Sequence, residues 1–434
     1  MNGVNEKVCD VAVVGAGPAG IAAASAAAEA GASVVLLDDN PAPGGQIWRG
    51  GVGMGDHPEA TRWLERLNAG RTTILSGTRV YHAESGALWA ESDEQEQRVR
   101  FGRLVLATGA RELFLPFPGW TLPNVVGAGG LQALVKSGLP IENKRVMVAG
   151  TGPLLLAVAA CLSEKGAQIA CICEQAPLAR LGRFAMTLAA FPGKLREGAR
   201  LRLAARKAPY RTGCWPVAAL GKERVEAVRV SQGSHEREIA CDYLACGFHL
   251  VPNLELPRLL NCRVAAGYVE VDEWQQTSAP GVYCAGEPTG IGGVELSLVE
   301  GQIAGYTAAR REEAAKRLFA QRARYRKLVP AMQEAFRLRP ELATLAKPDT
   351  IFCRCEDVPF ERMQEHHSWK AAKLHTRCGM GPCQGRVCGA AAEHLLRWAV
   401  STARPPVFPV SCAGLASLGR AGDSPESSGP PSGG

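Results

Sequence analysis

An α/β fold is what the 434-residue sequence predicts: two βαβ units of parallel-sheet type followed by a small cysteine-bearing domain. Two near-repeats carry the expectation. CDVAVVGAGPAGIAAASAAAEAGASVVLLDD, from Cys9 to Asp39, and KRVMVAGTGPLLLAVAACLSEKGAQIACICEQ, from Lys144 to Gln175, each read as apolar strand, glycine turn, apolar helix and apolar strand. The third observation is TRCGMGPCQGRVCG, which crowds Cys378, Cys383 and Cys388 into eleven residues.

In the first unit Val11–Val14 is the buried strand, the helix runs to about Ala30, and the second strand ends at Asp38 and Asp39. Gly15, Gly17 and Gly20, with Ala16, Pro18 and Ala19 between them, form GxGxxG at the strand-to-helix turn. Glycines there let the chain turn tightly and approach a pyrophosphate, whose charge faces the helix N-terminus. An adenine nucleotide is therefore expected at this turn, with Asp38 placed to accept from a ribose hydroxyl and Asp39 beside it in the candidate site. In the second unit, Gly150, Thr151 and Gly152 repeat the turn, but Leu155 stands at the third glycine position, and Glu174 ends the strand. A structural unit and a working NAD(P)H site both stay open, and the Leu155 side chain favours the first.

Between the units, RLVLATGARELFLPFPGW gives a buried strand and a proline-rich crossing, and a related strand returns as GVYCAGEPTG. This interleaving implies a split first domain, residues 8–119 with 261–310, and an inserted domain at 120–260. Residues 311–350, with ten Lys or Arg against five Asp or Glu, read as a solvated helical connector. The cysteine domain follows at 351–400, and 401–434 reads as an extended, largely disordered tail.

The N-terminal residues lack the charged and apolar regions of a secretory signal, and no apolar run is long enough to span a bilayer. A cytoplasmic protein is expected, and its fifteen cysteines are then reduced thiols rather than a disulfide framework. Net charge +7, without a lysine-rich run interleaved with aromatics, argues against a nucleic-acid partner. Cys353 and Cys355 form a CxC ahead of the quoted cluster, so five thiols are candidates for a metal centre. Iron-sulfur, tetrahedral zinc and inert buried thiols are the readings these residues allow. No CxxC lies near either βαβ unit, so disulfide-reductase chemistry has no residues to run on. Cys171 and Cys173 read as small core residues, and His366 and His367 as surface side chains. No general base announces itself, and the catalytic residues stay unassigned.

PGGQ at Pro43–Gln46, ATGA at Ala107–Ala110 and GVYCAGE ending at Glu287 resemble the two-dinucleotide-binding-domain flavoproteins, the superfamily of thioredoxin and glutathione reductases. The resemblance implies an FAD/NAD(P)-binding Rossmann-like fold and adds Gly45, Gln46, Thr108, Gly109, Gly286 and Glu287 to the cofactor site. Glu287 replaces the family's usual aspartate, which holds the flavin ribityl chain. FCRCEDV with the quoted cysteines resembles the bacterioferritin-associated-ferredoxin-like domain, which binds a 2Fe-2S cluster. Over nearly its whole length the chain resembles alpha-type subunits of heteromeric amino-acid dehydrogenases: opine oxidases, hydrogen cyanide synthase, and proline or D-hydroxyproline dehydrogenases.

That resemblance implies FAD or another adenine nucleotide at the first glycine turn and a 2Fe-2S cluster. It also implies a beta-type flavoprotein partner that oxidises the substrate, and it leaves room for FMN at a subunit contact and for a small third subunit. It places the ligands at Cys353, Cys355, Cys383 and Cys388, with Cys378 a non-ligating neighbour. D-Hydroxyproline or a related imino acid is the leading substrate, and an opine is the second. A self-contained NAD(P)H-dependent flavin reductase and a non-catalytic iron-sulfur carrier are the alternatives from other classes.

Overall fold

A computed structural model describes residues 5–49, 58–92, 95–400 and 403–421. The first unit opens with β1 (Asn5–Val14), α1 (Pro18–Glu29) and β2 (Val34–Leu37), followed by α2 (Pro58–Ala69) and β3 (Thr72–Leu75). After it come β4 (Arg79–Glu84), β5 (Ala87–Glu91) and β6 (Glu96–Leu106). The sheet order is β3-β2-β1-β6-β5-β4. β1 runs parallel to both β2 and β6, with Val13 opposite Leu36 and Val105. Val11–Val14 of β1, all of β2 and Leu104–Leu106 of β6 are apolar and buried on both faces, as a sheet covered on each side requires.

The ribbon strand β7 (Ala110–Leu113) leads into a second unit: β8 (Val125–Gly127), α3 (Ala128–Lys136), β9 (Arg145–Gly150), α4 (Leu154–Glu164) and β10 (Gln168–Glu174). Helices α5 (Leu178–Leu188) and α6 (Pro192–Ala204) precede β11 (Tyr210–Thr212), and an antiparallel sheet of β12 (Cys214–Leu220), β13 (Ala227–Gln232) and β14 (His235–Ala240) follows. With β15 (Tyr243–Gly247) the second parallel sheet has the order β11-β10-β9-β15-β8. Leu155 is fully buried in this unit's core with Val148, Val158 and Ile172, so the side chain at the third glycine position packs inward.

The chain then returns. β16 (His249–Pro252) pairs with β7, and α7 (Glu255–Leu259) and the short hairpin β17 (Val264–Ala265) and β18 (Tyr268–Val269) follow. β19 (Val282–Cys284) joins the first sheet beside β6, with Val282 opposite Leu104. α8 (Val294–Ala308) crosses α1 at its alanine face. A Cβ on Gly301 or Gly305 would run into the carbonyl oxygens of Ala19 and Ala23, so two glycines one turn apart set the closeness of that crossing.

The basic segment after it folds into α9 (Glu312–Lys316), α10 (Phe319–Arg326) and α11 (Leu328–Ala335). Most of its charged side chains are exposed, as a solvated connector implies, but Arg322 departs from that expectation. Arg322 is 6% exposed and donates to the Glu273 carbonyl, and Arg326 pairs with the buried Glu300 at 2.9 Å. The Glu273 carbonyl draws Arg322 inward, whereas Arg326 stays 44% exposed and reaches in to Glu300 from the surface.

The cysteine segment comprises β20 (Ile351–Cys353), β21 (Val358–Pro359), α12 (Phe360–Gln364), α13 (Trp369–Thr376) and α14 (Cys388–Leu395), packed around Phe352, Phe360 and Met363. The Trp120 indole donates to the Ile351 carbonyl and ties the inserted unit to it. The expected extended tail from residue 401 contains a helix, α15 (Cys412–Ala421). Tyr81 fixes this helix by contacting Gly414 and Ser417, and Val407 packs in the first domain's core. Residues 422–434 lie outside the described residues. No described helix is long and apolar enough to cross a membrane.

Candidate functional site

The first glycine turn is assembled by steric necessity. Gly15 has φ +101°, and a Cβ on it would meet the Ala107 carbonyl; one on Gly20 would meet the Gly15 carbonyl. Gly17 has nothing within 4 Å of its would-be Cβ, so it faces open space at the start of α1. Gly44 donates to the Ala16 carbonyl at 2.8 Å, and Gly45 lies against the Gly17 Cα, so the PGGQ loop carrying Gln46 closes over the turn that Pro18 and Ala19 continue. Asp38, 7% exposed, accepts from the Ala16 amide and from both nitrogens of Asn40. Asp39 points outward toward Arg79, 4.0 Å away.

The ATGA turn is braced by a residue that sequence reading missed. Asn253 donates through Nδ2 to the Thr108 carbonyl and through its backbone to Gly109, and its own carbonyl accepts from the Thr108 hydroxyl. Gly286, at φ +80°, delivers Glu287, whose Oε2 is inaccessible to solvent and has no partner. Burial pushes the Glu287 carboxyl up to about 7, against a smaller opposing contribution from the Gly293 amide. An open face at Gly17, a helix N-terminus and an orphaned acid oxygen together fit a nucleotide with a hydroxyl-bearing chain.

That acid predicts a pH effect. Between its ordinary value of 4.5 and about 7, folded Glu287 holds a proton that the unfolded chain has released, so stability present below this window is lost as pH rises through it. In nucleotide-free protein, Glu287→Gln should remove the Glu287 share of that fall and gain on the order of 3 kcal/mol over the parent above pH 7. Denaturant melts at pH 5 and pH 8 measure it, and equal pH slopes for the two proteins would contradict it.

At the second glycine turn the strand-ending acid is again held by the protein. Glu174 is fully buried and accepts from the Thr151 hydroxyl at 2.8 Å, the Gly152 amide at 2.7 Å and the Ala176 amide at 2.8 Å. Both its oxygens are engaged by the protein, as both oxygens of Asp38 are at the first turn, and Gly152, like Gly17, has nothing within 4 Å of its would-be Cβ.

The five thiols converge at the mouth of α14. The sulfurs of Cys353, Cys378 and Cys388 lie within 4.8 Å of one another and all three residues are buried. Cys383 touches Cys388 and Cys355, the latter exposed, so the outer pair joins the inner trio through Cys388. Cys378, expected as a bystander, is therefore packed among the sulfurs; Arg377, at φ +66°, ends α13 and turns it inward. Gly379 and Gly385 lie against the Trp369 ring, where a Cβ would sit 2.6 and 3.1 Å from it, and this lets the loop wrap tightly.

Thiol contacts from Cys378 and Cys388 hold Cys353 well below the ordinary thiol range, helped by the Gly379 and Glu356 amides. The Cys388 thiol and the Val387 and Gly385 amides hold Cys383 down at about 5. Soft sulfur donors with amides aimed at them fit an iron-sulfur cluster, and the same donors suit zinc.

Other expectations meet corrections of detail. Cys171 and Cys173 are core residues, as their strand implied, but Cys214 joins them, 3.2 Å from Cys173. His367 is exposed, whereas His366 is half-buried and stacks on His375 at 5.2 Å because α12 and α13 pack together.

Two Rossmann-like units, the first with an open glycine turn, define a nucleotide-dependent oxidoreductase. The profile of the pyridine nucleotide-disulphide oxidoreductases matches residues 9–312, and the chain belongs to that family. It is 33% identical to hydrogen cyanide synthase subunit HcnB of Pseudomonas aeruginosa, over 94% of this chain and 98% of that one. It is 32% identical to an opine oxidase subunit of Rhizobium meliloti, with the same coverage. Among solved structures, the L-proline dehydrogenase of P. horikoshii superposes with TM-score 0.65 at 20% identity, covering 96% of this chain and 81% of that one. A thioredoxin reductase from T. acidophilum gives TM-score 0.54 at 20% identity, covering 70% and 98%. These likenesses establish the two-dinucleotide-binding-domain fold.

Proposed function

We propose that this chain is the electron-transferring subunit of a heteromeric amino-acid or imino-acid dehydrogenase. The observation that carries the reading is the pairing, in one chain, of an open nucleotide turn with a five-thiol cluster, in a protein whose full-length relatives are named as subunits of larger enzymes. In this reading residues 8–119 with 261–310 form the nucleotide domain and 120–260 the inserted domain. Residues 311–350 connect to the cluster domain at 351–400.

FAD or another adenine nucleotide is held by Gly15–Gly20, Asp38, Gly45, Gln46, Thr108, Gly109, Gly286 and Glu287. A 2Fe-2S cluster is held by Cys353 and Cys388 of the inner group and by the outer pair Cys355 and Cys383. When bound, flavin and cluster supply two-electron and one-electron exchange. The chain's residues seat the pyrophosphate on α1, offer Glu287 to a ribityl or ribose hydroxyl, and cover the inner sulfurs from water. Substrate oxidation falls to a beta-type flavoprotein partner, with D-hydroxyproline or a related imino acid as the leading substrate and an opine second. FMN at the subunit contact and a small third subunit complete the proposed assembly, in the cytoplasm.

The isolated chain should show no turnover of amino or imino acids with an artificial dye, and activity should appear on adding the partner. Robust turnover by the single chain would refute the relay assignment. NADH bleaching of its flavin would instead favour a self-contained reductase, against which the Leu155 side chain at the third glycine position counts.

A further inference from the structure

Arg111 lies in β7 directly after the Thr108–Gly109 turn, and Arg386 lies in the loop between Cys383 and Cys388. One carboxylate oxygen joins them. Glu255 Oε1 accepts from Arg111 Nη1 at 2.9 Å and lies 3.5 Å from Arg386 Nε. Arg111 also donates to Asn253 Oδ1 at 2.8 Å and, through Nε, to the Arg386 carbonyl at 3.2 Å. Arg386 donates to the carbonyls of Cys383 at 3.2 Å and Val407 at 2.6 Å, and its guanidinium covers the Phe408 ring at 4.2 Å. All three charged side chains are mostly covered, at 27%, 21% and 19% exposure for Arg111, Glu255 and Arg386, so solvent screens their contacts weakly.

We infer that Glu255 is a positioning residue that clamps the thiol loop onto the nucleotide-side turn by bridging Arg111 and Arg386. The inference rests on the reading of a nucleotide at the first turn and a cluster on the thiols. The path runs by hydrogen bonds from Thr108 through Asn253 and Arg111 to Glu255, crosses to Arg386 by an ion pair at 3.5 Å, and ends in a hydrogen bond to the Cys383 carbonyl. Two partly buried guanidiniums repel each other, and a shared carboxylate is what lets both stay. The clamp fixes the separation of the two proposed centres. It also sets the local charge beside Cys383, because Glu255 neutralises one of the two cations there.

The test uses the full chain. Glu255→Gln keeps the shape and leaves an extra positive charge near the cluster, which favours the more negative, reduced state; the midpoint potential by EPR-monitored titration should rise, while Glu255→Asp stays near the parent. Hydrogen exchange at residues 383–388 and 404–410 should quicken by about tenfold or more in Glu255→Ala and in Arg386→Lys. Glu270→Gln, at an exposed pair with Arg263, should change neither. Unchanged exchange in both loosening variants overturns the clamp, as does an unchanged potential in Glu255→Gln when iron is present. Should the parent bind no iron, the cluster reading fails and the exchange measurement alone decides the clamp.

Discussion

Gly17→Val is expected to fold and to lose its nucleotide. Nothing protein-derived lies within 4 Å of the added Cβ, so the apo structure has room for it, and the space it fills is the space over the N-terminus of α1 where a pyrophosphate must approach. Overpacking of this kind costs typically 1–3 kcal/mol, which corresponds to roughly 5- to 150-fold weaker binding. Gly20→Ala provides the contrast: its Cβ would collide with the Gly15 carbonyl, so that variant should lose melting temperature first and nucleotide only as a consequence. Nucleotide released on denaturation, quantified beside a thermal melt, separates the two. Full nucleotide occupancy in a well-folded Gly17→Val protein would show the turn to be purely structural.

Cys388→Ser is expected to abolish the metal centre. Cys388 touches Cys353, Cys378 and Cys383, so its loss breaks the one link between the inner sulfurs and the outer pair. Iron and acid-labile sulfide should disappear together with the visible absorption and the reduced-state EPR signal. Cys378→Ser tests the choice among five thiols: intact iron and sulfide support Cys353, Cys355, Cys383 and Cys388 as the ligands. Loss of both on Cys378→Ser, with retention on Cys383→Ser, would move a ligand position to Cys378. A colourless parent holding one zinc per chain would replace the cluster altogether.

Much of the scaffold was legible because it is written locally. Within each βαβ unit the glycine spacing, strand hydrophobicity and terminal acid, Asp38 or Glu174, lie within a few dozen residues of each other, and the unit follows from them. What escaped depends on contacts far apart in sequence. Asn253 reaches Thr108 across 145 residues, and Glu255 meets Arg386 across the boundary of two domains. The internal capture of Glu174 depends on side-chain direction, which spacing does not encode. The burial of Cys378 among the other sulfurs also escaped, because its inward turn rests on the left-handed conformation of Arg377, a residue type that gives no warning of it. Arg322 shows the same weakness in a charge run: ten cations implied a wet surface, and one of them is buried against carbonyl partners.

β19 joins the first sheet beside β6, pairing Val282 with Leu104, a separation of 178 residues (282 minus 104). All strands of the second parallel sheet lie between Val125 and Gly247. During synthesis at about 5–20 residues per second, the strand that finishes the first sheet leaves the ribosome roughly 10 to 35 seconds after its partner. The inserted unit can reach its native pairing within that interval, while the earlier-made nucleotide unit still exposes the edge of β6 and the alanine face of α1. Nascent chains of this protein therefore pass through a stage in which the N-terminal portion, though made first, is the part that still needs shielding from aggregation.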